Sequence, residues 1–180
     1  AMYPTEAEIT LPSHRIAIPF GDGEAEIIAE QDGEATWRYT YNGAGGILYA
    51  GDYIRQDIEA GGIAIQFYYG RKHQAVMEEA GAVDAVKEVV DYCTEHYGKL
   101  SYGTGDTLKL IQSRVAGGGY AVGGASLLDE ADFTIANLGD TNKGAVPGET
   151  FIHELVHQWW GLGNMFDTVD STSPWSAEGL

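Results

Sequence analysis

The sequence is short of cysteine, of positive charge and of long apolar runs, and each shortage removes a class of reading. Cys93 is the only cysteine among 180 residues, so no intramolecular disulfide can form and the chain is not a disulfide-stapled scaffold. Only 10 Lys and Arg stand against 27 Asp and Glu, a formal net charge of −17, which argues against a nucleic-acid or anionic-membrane surface. No apolar run approaches the ~20 residues needed to span a bilayer, and no signal peptide is visible, so no membrane contact is expected of this segment itself. The lone thiol leaves the compartment open. What the chain does have is 44% hydrophobic residues and 11% aromatics, enough for a packed core in one domain or one domain plus part of another. The acidic excess serves solubility and would also attract a cationic group such as a free peptide amino terminus.

Residues 1–46 read as short strands: Ile16 to Ile18, Glu24 to Ala29 and Ala35 to Tyr41, punctuated by Gly21-Asp22-Gly23 and Asp32-Gly33. Gly43 to Gly46 forms an expected boundary, after which residues 47–180 make a second unit. Longer strands follow, from Ile47 to Ile58 and from Ile63 to Tyr69, joined by Gly61-Gly62. Residues 74–97 predict one helix, with Val76, Val83, Val86, Val90, Cys93 and Tyr97 at three- and four-residue spacing and Gly98 as the stop. Cys93 is expected in the core. A strand from Thr107 to Gln112, a glycine-rich stretch, and β-like runs at Ala125 to Leu128 and Phe133 to Leu138 come next. Pro147 opens a helix expected to run to about Trp160. Strands followed by helices give an α+β domain.

The chemistry concentrates in His153-Glu154-Leu155-Val156-His157. On a helix, positions i and i+4 lie one turn apart on one face, so both imidazoles can point at one metal ion, with Glu154 beside them as a general base. Phe151, Ile152, Leu155, Val156, Trp159 and Trp160 surround them with apolar side chains. Burying two imidazoles and a carboxylate there is costly unless something pairs with them, and a metal is the simplest partner. Such a short pattern also recurs by chance, and a catalytic zinc site wants a third protein ligand. No histidine follows His157; the acidic candidates downstream are Asp167, Asp170 and Glu178.

Read on to Gly161, the segment His-Glu-Leu-Val-His-Gln-Trp-Trp-Gly resembles the signature of the aminopeptidase N family of gluzincin metallopeptidases. Trp175-Ser176-Ala177-Glu178-Gly179 resembles that family's Trp-Leu-Asn-Glu-Gly, whose glutamate is the third zinc ligand. The resemblance therefore implies one Zn2+ held by His153, His157 and Glu178. The 20 residues between His157 and Glu178 exceed the family's usual spacing, an excess assignable to the Asp167 to Pro174 loop. Leu48 to Tyr53 and Tyr92 to Tyr102 also resemble the family, so the likeness covers residues 47–180. It implies a thermolysin-like half-domain: a mixed sheet packed on helices, the zinc helix in the core, preceded by the end of another β domain. Ala1 before Met2 reads as a remnant of tag cleavage, and the chain ends inside the third-ligand motif, so the natural protein is expected to be longer at both ends.

The family's Gly-Ala-Met-Glu-Asn strand pairs with extended substrate, and its glutamate binds the substrate's amino terminus. The matching stretch here is Gly118, Gly119, Tyr120 and Ala121, with Ala121 where the glutamate belongs. The tyrosine that stabilises the oxyanion in the family would come from residues beyond this chain. The remaining histidines are expected to be peripheral: His14 and His73 on the surface, His96 near a helix end. The resulting expectation is zinc-dependent hydrolysis of peptides, weak or absent in this segment alone. The alternative is a non-catalytic peptide-binding or sensor domain of a larger, transporter-like protein tethered to a membrane.

Overall fold

Alternation of side chains along each strand decides how the sheets face the core. The computed structural model describes residues 4–21, 23–42, 47–100, 106–114, 119–138 and 149–160. The expected break at Gly43 to Gly46, the Asp140 to Gly148 loop, Gly118, and everything from Gly161 through Glu178 lie outside the described residues. The first sheet joins β1 (Pro4–Pro12), β4 (Glu34–Asn42) and β3 (Glu24–Gln31) in that spatial order, all antiparallel. Ile9 faces Trp37 and Leu11 faces Ala35 on one side, while Glu6, Glu8 and Thr10 point to solvent. The sequence pattern does not announce a strand at β1. Its glutamates and threonine alternate with only three apolar residues, and the strand is supported by its partner β4.

β2 (Ile16–Pro19) pairs with β5 (Leu48–Gly51), and this ribbon leads into a five-stranded sheet. That sheet comprises β6 (Tyr53–Ala60), β7 (Ile63–Gly70), β8 (Thr107–Ser113), β9 (Tyr120–Val122) and β10 (Ala125–Asp129), in the spatial order β6-β7-β8-β10-β9. β7, β8 and β10 run parallel; β6 and β9 are antiparallel edges. Gly61 and Gly62 turn the β6–β7 hairpin with φ of 57° and 74°, the pair of left-handed values that a tight two-residue hairpin demands. The single long strand expected over Ile47 to Ile58 is divided at Asp52 between β5 and β6, which belong to different sheets.

Two further expectations are corrected. The helix predicted over 74–97 is two helices, α1 (Gln74–Glu79) and α2 (Ala82–Tyr97). Gly81 stands between them at φ 63°, and the Ala80 and Gly81 amides close onto Val76 and Glu78 carbonyls, as at a helix C-terminus. The apolar spacing carries across the break, so periodicity alone does not reveal it. Phe133 to Leu138 is not a strand. A 3-10 turn at Glu130–Asp132, capped by the Asp129 carboxylate accepting from the Ala131 amide, leads into the short helix α3 (Ile135–Leu138).

The main core lies between the five-stranded sheet and the helices. Ile63, Ile65, Phe67, Leu108, Leu110 and Leu128 from the sheet meet Met77, Val86, Val90 and Cys93 from α1 and α2. Each fully buried side chain of that size contributes about 1.5–3 kcal/mol. Cys93 is a core thiol, as expected, and burial pushes its pKa up to about 11. The opposite face holds a smaller cluster in which Ile18 of β2 packs on Tyr68, Ile111 and Leu127. On this same face Lys109, only 8% exposed, donates to the carbonyls of Pro19, Gly21 and Gly23.

Candidate metal centre

The helix α4 (Glu149–Val156) carries the metal motif and packs across β9 and β10. Leu155 is fully buried, Ile152 and Val156 pack against the core, and Trp159, just beyond the helix, donates its indole N–H to the Gly98 carbonyl at the end of α2 (2.8 Å). The α-helix ends earlier than Trp160. His157 still bonds its amide to the His153 carbonyl (3.1 Å), and the chain then tightens through turns at Gln158 to Trp160. The i,i+4 relation of the two imidazoles is therefore kept.

His153 and His157 are half-buried, with ring centroids 4.4 Å apart at an interplanar angle of 83°. One ligand atom from each imidazole and one oxygen of Glu154 lie within 4.8 Å of one another, a grouping that could hold a metal ion. His157 Nδ1 stands 3.1 Å from the Trp160 carbonyl. A carbonyl can only accept, so Nδ1 carries the proton and Nε2 keeps the lone pair that a metal needs. The donor set, two imidazoles beside a buried carboxylate, suits zinc.

A polar brace fixes α4 to the sheet. Gln158, 1% exposed, accepts from the Gly124 amide (3.0 Å) and shares the two protons of its Nε2 among the carbonyls of Val122 (2.9 Å) and Ala125 (3.2 Å) and Ser126 Oγ (3.1 Å). Ser126 Oγ in turn donates to the Glu154 carbonyl (2.7 Å). No motif in the sequence assigns a role to Gln158 or Ser126. The signal existed, since a glutamine inside an otherwise apolar helix end raises the same burial cost that drew attention to the histidines.

Of the residues expected to line a substrate strand, Gly119 lies directly against the centre. A Cβ built there would overlap Glu154 Cγ and come within 2.6 Å of its Cδ. Tyr120 is exposed, its ring 6.3 Å from that of Phe20, and Ala121 is half-buried on β9 opposite Ser126. β9 is the sheet's edge, with β10 on one side and no further strand among the described residues. His73 corrects an expectation. It is half-buried, accepts from Gln112 Nε2 at Nδ1 (2.7 Å) and stands 5.7 Å from the Phe133 ring. His14 and His96 are exposed, His96 near the end of α2.

No known family description and no curated protein matches the sequence. Its fold, however, is similar to that of a zinc metallopeptidase. The solved structure is of a two-domain M1 zinc metallopeptidase, a mutant bound to L-arginine. It superposes with a TM-score of 0.53 at 14% identity, over 89% of this chain. The chain spans 34% of that protein's length, and at such identity the likeness is one of fold. The architecture of the described residues is mixed α+β, mostly sheet with few helices.

Proposed function

We propose that this chain is the metal-binding part of a zinc-dependent peptidase of the aminopeptidase N type, built on a thermolysin-like half-domain. The observation that carries the reading is the convergence of His153, Glu154 and His157 on a braced helix beside an open sheet edge. His153 and His157 would hold one zinc ion, with Glu178 as the third ligand by its place in the family-like motif. When bound, zinc supplies Lewis acidity, polarising a peptide carbonyl and making water acidic enough to be activated near neutral pH. Glu154 accepts the proton of the attacking water and delivers it to the leaving amine. The β9 backbone pairs with an extended peptide by strand addition, and Gly119 lets that backbone approach the Glu154 side chain.

The test is zinc per mole after exhaustive dialysis, followed by variants. The chain should retain close to one equivalent, and His153→Ala and His157→Ala should each lose it. Glu154→Gln should keep the metal and abolish peptide hydrolysis in the natural, longer protein. Hydrolysis undiminished by Glu154→Gln would remove the assigned base.

One observation favours a second reading. Ala121 sits on the edge strand without the carboxylate that would bind a substrate's amino terminus, which suits a peptide-binding or sensor module. Zinc retained with peptide bound but never cleaved by the longer protein would select this reading.

A further inference from the structure

A cavity of about 460 Å³ opens at the C-terminal ends of β7 and β8, lined by none of the metal-centre residues. Its wall is built. Tyr53 donates its hydroxyl to the Gln112 carbonyl (2.8 Å), and Tyr49 lines the same wall. Gln112, 4% exposed, accepts from the Gly70 amide through Oε1 (2.5 Å) while its Nε2 is held by His73.

The mouth carries Arg71, Lys72 and Arg114, three of the chain's 10 cations, against two carboxylates, Asp52 and Glu130. One other cleft holds Glu59, Asp91 and Asp106 and no cation, and another holds two charges of each sign. In a chain of net charge −17 this cavity has the opposite balance. Glu130 organises the cations: one oxygen takes Lys72 Nζ and the other takes Arg114 Nε (3.0 Å), which holds two positive groups side by side. Those hydrogen bonds, from Lys72 first and then Arg114, keep its pKa below the ordinary carboxylate value. Arg71 engages Asp52 through Nε as well (3.1 Å). Both guanidiniums thus use Nε for the internal carboxylate, and among the described residues no ion pair occupies their terminal nitrogens. Paired terminal donors are the part of arginine that matches a carboxylate or phosphate bidentately.

We propose that this cavity binds a small organic anion, its carboxylate or phosphate group held by Arg71, Arg114 and Lys72 and its body lying against Tyr49 and Tyr53. The volume falls in the range of small-molecule sites, about 300–1,000 Å³, and exceeds the need of a bare inorganic ion.

The experiment is an amide-resolved NMR titration with phenyl phosphate, benzoate and inorganic phosphate, at ionic strength held constant with sodium chloride. Saturable shifts are expected at Gly70, Arg71, Ser113 and Arg114 with at least one aromatic anion, and weaker binding of inorganic phosphate. The tighter of phenyl phosphate and benzoate identifies the head group. Arg71→Gln and Arg114→Gln, at side chains 60% and 86% exposed, should leave the spectrum folded and weaken binding about tenfold or more each. Arg55→Gln removes one charge at a different cleft and should leave affinity unchanged. Shifts that do not saturate, that chloride reproduces, or that Arg71→Gln, Arg114→Gln and Arg55→Gln weaken equally would overturn the proposal.

Discussion

Gly119 shows how little room surrounds the Glu154 carboxylate. The constraint is one of space, and the nearest overlap is with Cγ, in the middle of a side chain only 7% exposed. Gly119→Ala is therefore expected to cost about 1–3 kcal/mol of stability and to displace Glu154 without changing its chemistry. On the proposed peptidase reading, the longer protein would keep zinc near the wild-type content and lose at least about tenfold in peptide turnover, since a displacement near 1 Å costs that much or more. Zinc lost together with turnover would mean that the metal ligands had moved as well. His157 makes the complementary point. Its Nδ1 is fixed by a backbone carbonyl, so the direction in which Nε2 points depends on the turn after α4 as much as on the helix.

At the level of strands and helices, the β9–β10 hairpin and α4 behave as one piece because Gln158 and Ser126 bind both. Gln158→Leu keeps the volume but strands the Gly124 amide and two carbonyls in a buried place. A loss of about 2–4 kcal/mol is expected, read as a lower denaturant midpoint, with amide exchange accelerated first at Tyr120 to Ser126. Unchanged protection there would show that packing alone holds the hairpin. How much of this was legible in the sequence follows from which interactions are local. β7, β8 and the hairpin glycines announce themselves through alternation and turn chemistry, and the histidine pair through helical spacing. β1 does not, because its stability comes from a partner thirty residues on. The Ala80-Gly81 break hides inside a continuous apolar stripe, and the brace on α4 consists of contacts between segments about thirty residues apart. The place of Glu178 rests on its motif alone.

Across the fold, one lysine ties the two halves of the described chain together. The Lys109 ammonium is enclosed by three carbonyls of the 19–23 segment, which anchors β2 and its continuation on the face of the central strand β8. Lys109→Met should cost about 2–4 kcal/mol, because buried carbonyls lose their donor. Limited proteolysis should then cut near Gly21 to Gly23 before the five-stranded sheet opens; simultaneous cleavage everywhere would show that this anchor is not separable from the sheet. The acidic surface has a further effect, since cationic peptides meet it faster at low ionic strength than at high. The strand order also governs assembly. β10 follows β8 and β9 along the chain yet lies between them in space. A nascent chain ending before residue 125 therefore presents β8 with an unpaired edge, open to pairing with other chains. Insertion of β10 closes that edge and supplies most of the sheet surface against which α4 packs, so the docking of the helix that bears His153 waits on a strand inserted out of chain order.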